Sequence, residues 1–340
     1  MNGAGMNAEE VLRREFATVS ELVRLHARAR PEHPALIHEG RKVTYRELDR
    51  CIDRIACALQ RDQVSPRDVV AICAAASIEY VAIFLGSLRA GAIAAPLTMS
   101  AAPPTIAAMM ADAGPRIRFL DRAAAGILGD SDPSANSSAV IIDDAGPRGL
   151  QHWMMEADAV PAAVEPGPDW PFNLIYSSGT TGVPKGIVQP HLLRWFNVQR
   201  ARTAGYGPES VTLLATPLYS NTTLGSLFGA LALGGTVLLM GKFVAAGYLE
   251  LAQQYRATHT ILVPVQYQRL LAQDDFERCD LSSFQMKFST GASAEGAGFA
   301  ALARRSDRNL RHDGGRRRLH AGSAQVSAQA AHRGYPDAAA

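Results

Sequence analysis

The sequence predicts an α/β protein with mainly parallel sheets covered by helices. Two observations carry this. Short runs rich in Val, Ile and Leu alternate with longer segments of helical periodicity along most of the 340 residues. Hydrophobic residues make up 47% and charged residues 19%, enough apolar material for a sizeable core with sheets buried on both faces.

The elements come in order. "VTYRELDRCIDRIACAL" predicts a helix: Thr44 and Glu47 have capping-box spacing, and Leu48, Ile52, Ile55 and Leu59 fall on one face. "VVAIC", Val69–Cys73, reads as a buried strand. Ser77 then precedes an apolar helix that stops at Gly91. "AIAAPL" predicts a strand, "TIAAMMADA" a helix whose Met109 and Met110 belong to the core, and "IRFLD" and "AVIID" two more strands. The Ala/Gly/Ser/Asp stretch from Ala123 to Ser138 reads as a surface loop. After Pro171, "FNLIYSS" predicts a strand running into a glycine loop. "VTLLAT", "TVLLM", "TILV" and "QMKFS" then predict strands, separated by the helices "TLGSLFGALAL", "YLELAQQYRA" and "VQYQRLLAQ". No internal sequence repeat is visible. The layout gives two stacked α/β subdomains, residues 14–170 and 171–293.

Composition excludes several classes. A net charge of +2 gives no argument for nucleic acid or a membrane surface. Cys51, Cys57, Cys73 and Cys279 form no C-x-x-C pair and read as buried thiols, neither a metal site nor a disulfide set. The start "MNGAGMNAEEVLRREF" has no apolar signal core, and no apolar run reaches transmembrane length. The expectation is a soluble cytoplasmic protein.

The chemistry concentrates in "YSSGTTGVPKG", Tyr176 to Gly186. Gly179, Gly182 and Gly186 permit a backbone whose N–H groups converge on an anion. Ser177, Ser178, Thr180 and Thr181 add hydroxyl donors, and Lys185 adds a mobile positive charge suited to a polyphosphate. A Gly/Ser/Thr-rich surface turn is the bland alternative; the leading strand, the hydroxyls and the lysine together favour phosphate. Gly179 and Lys185 have the Walker A spacing, but Pro184 stands where the second glycine must be and Gly186 where the Mg²⁺-binding hydroxyl must be. Proline also has no N–H to donate. The Walker reading is rejected.

The stretch from Tyr176 through "GIVQPH" to His191 instead resembles the signature of the adenylate-forming (AMP-binding) superfamily. Its members include acyl-CoA synthetases, aryl-CoA ligases, luciferases and the adenylation domains of peptide synthetases. "RPEHPALIHEGRKVTYRELDRCIDRIACAL", "SIEYVAIFLGSLRAGAIAAPL" and "VPVQYQRLL" look like family landmarks in the expected order, and the likeness runs from about Thr18 to Ala292. The resemblance implies the large N-terminal domain of that fold, incomplete here, with the C-terminal lid domain missing. It implies an AMP-forming acid–thiol ligase: a small carboxylic acid attacks the α-phosphorus of ATP, and a thiol, commonly that of coenzyme A, then displaces AMP. ATP, Mg²⁺ and coenzyme A are the implied cofactor and co-substrates, with the loop on the β- and γ-phosphates. It also makes Tyr219, Ser220 and Asn221 of "TPLYSNTT" candidates for the acyl pocket, although Ser220 stands where many members have histidine. An ordinary helix start capped by Ser220 or Asn221 remains an equal reading. In "STGAS", Gly291 and Ala292 correspond to a strand end that lies against adenine and substrate, without the usual proline. His191 reads as structural.

The family next requires a Y-G-x-T-E motif, whose Thr and Glu serve the α-phosphate and Mg²⁺. Residues 294–340 carry none and have little to bury. No catalytic residue is therefore assigned. A basic tail that touches nucleic acid is one reading. The genetic code offers another. "LRHDGG" read one base along is compatible with Tyr-Gly-Met-Thr-Glu, and "AHRGYPD" with His-Thr-Val-Gly-Ile-Pro-Met, both family-like. The expectation is an out-of-frame, disordered tail that begins between Ala292 and Arg305. It leaves this chain a truncated, catalytically defective ligase. A non-catalytic nucleotide- or acid-binding remnant is the alternative.

Overall fold

The computed structural model describes residues 6–131, 139–177 and 185–290. In chain order, α1 (Ala8–Val11) and α2 (Val19–Ala29) precede the hairpin β1 (Pro34–His38) and β2 (Arg41–Thr44). Next come α3 (Tyr45–Arg61), β3 (Val69–Cys73), α4 (Ile78–Arg89), β4 (Ile93–Pro96), α5 (Pro103–Ala113), β5 (Ile117–Leu120), α6 (Arg122–Ser131), β6 (Ala139–Ile141) and α7 (Leu150–Trp153). A second hairpin, β7 (Pro171–Ser177) and β8 (Lys185–Pro190), opens the later part of the chain. It continues through α8 (His191–Thr203), β9 (Val211–Leu214), α9 (Asn221–Ala232), β10 (Thr236–Leu239), α10 (Ala245–Gln254), β11 (His259–Leu262), α11 (Pro264–Leu271) and β12 (Met286–Ser289).

Local chemistry sets these boundaries. Thr44 and Glu47 close the predicted capping box of α3: Glu47 N donates to Thr44 Oγ1 at 3.2 Å and Thr44 N to Glu47 Oε2 at 2.8 Å. Ser77 Oγ caps α4 by accepting from Tyr80 N at 3.1 Å, and Gly91, at φ +80°, takes the left-handed turn that ends the segment.

The strands form two six-stranded sheets of the same design. One has the order β6-β5-β3-β4-β7-β8 and the other β12-β11-β9-β10-β1-β2. In each, five strands run parallel, and the sixth is the antiparallel arm of a hairpin at the edge. The hairpins are exchanged. β1–β2 precedes β3–β6 in the chain but completes the sheet of β9–β12, while β7–β8, which precedes β9–β12, completes the sheet of β3–β6. The sheets are therefore not divided at residue 171, as the 14–170 and 171–293 reading would have it. A parallel strand needs a neighbour of matching direction and register, and chain order does not decide which one it finds.

Strand alternation builds three cores. Leu36, Val70, Ile72, Leu214, Val237 and Leu239 face a central core shared by both sheets with α2, α3, α4, α8 and α9. Their neighbours Ile37, Leu213 and Leu238 pack against α10 and α11, and Ala71 and Cys73 pack against α5 and α6. The layers run helix, sheet, helix, sheet, helix. Nearly every residue of α4 is buried, as its apolar surroundings in the middle layer require. At Gly86 a Cβ would meet Ile55 Cγ2 at 2.6 Å and the Ile52 carbonyl at 3.3 Å, so α3 and α4 touch backbone to side chain. Gly86→Ala is expected to destabilise the protein by about 1–3 kcal/mol through overpacking, read as a lower midpoint of urea unfolding with an unchanged slope.

Two expectations need correction. Arg122–Ser131 is helix α6, not loop, and residues 132–138 lie outside the described residues. Asp121 Oδ1 accepts from Ala124 N at 2.7 Å, and Ala124 and Leu128 bury one face, so alanine here acts as a helix former. Of the cysteines, Cys73 alone is fully buried, and Cys51, Cys57 and Cys279 are partly exposed free thiols. Met109 and Met110 lie in the core as expected. Among the described residues no helix is long and apolar enough to cross a membrane.

Candidate functional site

The carboxyl ends of β4 and β7 in one sheet and of β9 and β12 in the other point into a common region, the place where open parallel sheets bind ligands. β7 delivers the loop. Its last residue, Ser177, pairs with Lys185, the first of β8, so the ladder closes at the base of the loop. Ser178, Gly179, Thr180, Thr181 and Gly182 lie outside the described residues. The loop leads into an antiparallel strand and not a helix. This agrees with rejecting the Walker reading, in which a helix N-terminus must come next. Lys185 is exposed at this mouth.

Two contacts hold the base of the loop. Tyr176 Oη donates to Asp112 Oδ2 of α5 at 2.6 Å, and burial together with this carboxylate pushes the phenol's pKa up. Gly186 pairs with Tyr176, and a Cβ there would lie 2.9 Å from Leu174 Cδ1 and 3.3 Å from Tyr176 Cζ. Close packing thus accounts for this glycine independently of any anion.

The acyl-pocket candidates lie on the segment between β9 and α9. Tyr219 and Ser220 are half-buried and Asn221 is exposed. Tyr219 Oη lies 3.4 Å from Ser100 Oγ, on the segment after β4, which links the carboxyl edges of the two sheets. Ser220 occupies the N-cap position of α9 but makes no side-chain cap bond, and Asn221 Oδ1 accepts from Arg194 at 2.7 Å. The helix-cap alternative therefore has no side-chain bond to support it. Thr222 Oγ1 is 3.0 Å from Thr290 Oγ1, which brings the start of α9 against the end of β12. Gly291 and Ala292, next in the chain, lie outside the described residues, as does the tail from 294 to 340.

His191 is structural. It is 5% exposed, stands edge-on to Phe172 at 5.0 Å, and burial pulls its pKa down to about 4. Among the described residues no three His, Cys, Asp or Glu side chains converge to hold a metal ion. The implied Mg²⁺ has no ligand set among them, and no step is assigned to it. Arg194 is the neighbour that sequence reasoning passes over. Its only signal is a charge inside the apolar run "HLLRWF".

Comparisons with known proteins agree with this architecture. The sequence model of the family described as AMP-binding enzyme matches residues 23–316. Indoleacetate–CoA ligase of Aromatoleum aromaticum is 32% identical over 282 residues, covering 81% of this chain and 55% of that protein. Feruloyl-CoA synthase of an Amycolatopsis species is 30% identical over 274 residues, 78% of this chain and 52% of that protein. The chain thus spans about half the length of these relatives. Among solved structures, the inhibitor-bound N-terminal domain of FACL13 from Mycobacterium tuberculosis superposes with a TM-score of 0.75 at 23% identity, over 85% of this chain and 73% of that one. That likeness speaks to the fold alone, which is the N-terminal domain of adenylate-forming enzymes. With a family match over most of its length, the chain belongs to the AMP-binding enzyme family.

Proposed function

We propose that this chain carries the nucleotide- and acid-binding portion of an AMP-forming acid–thiol ligase. One observation supports the reading best: the segment from Tyr219 into α9 touches Ser100, after β4 of one sheet, and Thr290, after β12 of the other, and β4 pairs with β7, the strand that enters the glycine loop. In the first step a carboxylate oxygen forms a bond to the α-phosphorus of ATP, the bond to the bridging oxygen of the β-phosphate breaks, and pyrophosphate leaves. In the second a thiol sulfur bonds to the acyl carbon, the acyl–phosphate bond breaks, AMP leaves and the thiol loses its proton. An anion attacks a polyanion, so charge control and positioning dominate.

The residue types of the chain suit that demand. Ser177, Ser178, Gly179, Thr180, Thr181 and Gly182 would take the β- and γ-phosphates, together with Lys185, the first residue of β8. Tyr219, Ser220, Asn221, Gly291 and Ala292 would form the wall for the acid and adenine. The relatives' names favour an aromatic acid, with coenzyme A as acceptor, and the setting of both co-substrates is the cytoplasm. Residues 294–340 are read as out of frame. The test is acid-dependent exchange of pyrophosphate into ATP by the in-frame protein, with indoleacetate, ferulate and a fatty acid. Exchange with at least one is expected. Its absence with a broad panel of carboxylic acids would remove the ligase reading and favour a non-catalytic binding protein.

A further inference from the structure

The tip of the glycine-loop hairpin stands past the strand that joins it to its sheet. β7 pairs with β4 at Ala94 and Asn173, whereas its ladder with β8 runs on to Ser177 and Lys185. From Leu174 to Ser177, β8 is the strand partner among the described residues. β8 is itself an edge strand, and Lys185 to Val188 are exposed. A hairpin tip paired on one side only is a low-stability element. Tyr176 supplies a further tie. Its ring packs on the core that includes Ile106, Met109 and Met110 of α5, and its hydroxyl donates to Asp112 Oδ2 at 2.6 Å.

The helix that carries Asp112 does not account for it. Asp112 lies in the last turn of α5, beside the final residue Ala113, and that turn has no basic residue. An anion there opposes the helix dipole. Among the described residues no cation pairs with Asp112, and its side-chain partner is the Tyr176 hydroxyl. Burial and this carboxylate push the phenol's pKa up, so the hydroxyl stays a donor. Tyr176 directly precedes Ser177, where the hairpin ladder closes, so a tie on its side chain sets the direction in which β7 enters the loop.

We propose that Asp112 is a positioning residue for the phosphate loop: by holding the Tyr176 hydroxyl it fixes the tip of the β7–β8 hairpin against α5, and with it the place at which Lys185 meets a polyphosphate. The proposal rests on the ligase reading of the site. A support of this kind lowers the cost of ordering the donors, so its loss weakens binding without removing a contact to the ligand. What Asp112 contributes is an acceptor and not its charge. Asp112→Asn keeps an oxygen for the phenol, while Asp112→Ala and Tyr176→Phe each remove the bond.

The experiment uses the 340-residue chain and reads the rate of trypsin cleavage after Lys185, with cleavage after the exposed Arg278 as internal reference. Asp112→Ala and Tyr176→Phe are each expected to speed cleavage after Lys185 by about fivefold, the scale of one hydrogen bond, with the Arg278 site unchanged. The double variant is expected to match either single one, because both remove the same bond. ATP is the ligand probe. In the wild type it is expected to slow cleavage after Lys185. The ATP concentration that halves the rate is expected to rise about fivefold in Asp112→Ala and Tyr176→Phe and to hold in Asp112→Asn. Asp112→Ala that is cleaved and protected like the wild type would overturn the proposal, and so would equal losses in Asp112→Asn and Asp112→Ala. Faster cleavage with unchanged protection by ATP reduces the bond to a structural one and removes the positioning role. A wild-type chain that ATP does not protect refutes the phosphate-site reading and the positioning role with it. In that case faster cleavage of the variants still identifies the tie between Asp112 and Tyr176 on its own.

Discussion

Residues 1–340 in their present frame are expected to release no AMP with any carboxylic acid, and a gene shifted by one base between codons 292 and 305 is expected to release it with coenzyme A present. The reason lies in what the frame supplies. The family resemblance requires Tyr-Gly-x-Thr-Glu for the α-phosphate and the metal. The chain reads Leu-Arg-His-Asp-Gly-Gly at that place, while the neighbouring frame is compatible with Tyr-Gly-Met-Thr-Glu. Without those groups the attacking and leaving oxygens lose a shared clamp, and stabilisation lost from the transition state lowers the rate directly. Four lysines against thirty arginines chain-wide fit a GC-rich gene, whose out-of-frame reading is rich in arginine. Expressing both versions and measuring acid-dependent AMP release decides the matter. Robust turnover by the unshifted chain would show that residues 294–340 are functional sequence.

In the in-frame protein, Lys185→Ala is expected to weaken ATP use by roughly 1–3 kcal/mol, a 5- to 150-fold loss in kcat/KM for ATP. Lys185 is exposed, pairs through its backbone with Ser177, and its side chain makes no ion pair among the described residues, so the substitution should leave the hairpin folded. Loss of a charge-assisted contact to a polyphosphate is then the whole effect, and it should appear with every acid alike. Unchanged pyrophosphate exchange in this variant would remove Lys185 from the phosphate site.

Much of the fold is legible because it is set locally. The Thr44 and Glu47 capping box, the Val69–Cys73 run and the Ser77 cap each specify an element with nearby residues. The β1–β2 hairpin has a local signal too, which a reading for family likeness alone passes over. Glu39 and Gly40 turn with φ of +49° and +78° between "ALIH" and "RKVT". The three alanines after Arg122 mislead because small residues in an Asp- and Gly-rich context suit both helix and loop, and burial of Ala124 and Leu128 decides for helix. No local pattern gives partnership across the chain. The acceptors around Arg194 come from β7, β8 and α9, and the partner of β1 is β10.

That last pairing sets a timetable for the nascent protein. Pro34–His38 finds its parallel neighbour only when Thr236–Leu239 has been made. At about 5–20 residues per second, the wait is roughly 10–40 s. Through that interval β1 offers an unpaired apolar edge, and β9–β12 cannot close their sheet by themselves when they arrive. The earlier half of the chain is thus held unfinished on the ribosome until the later half supplies its complement. Each half supplies a hairpin to the other's sheet, so the two are expected to become stable together.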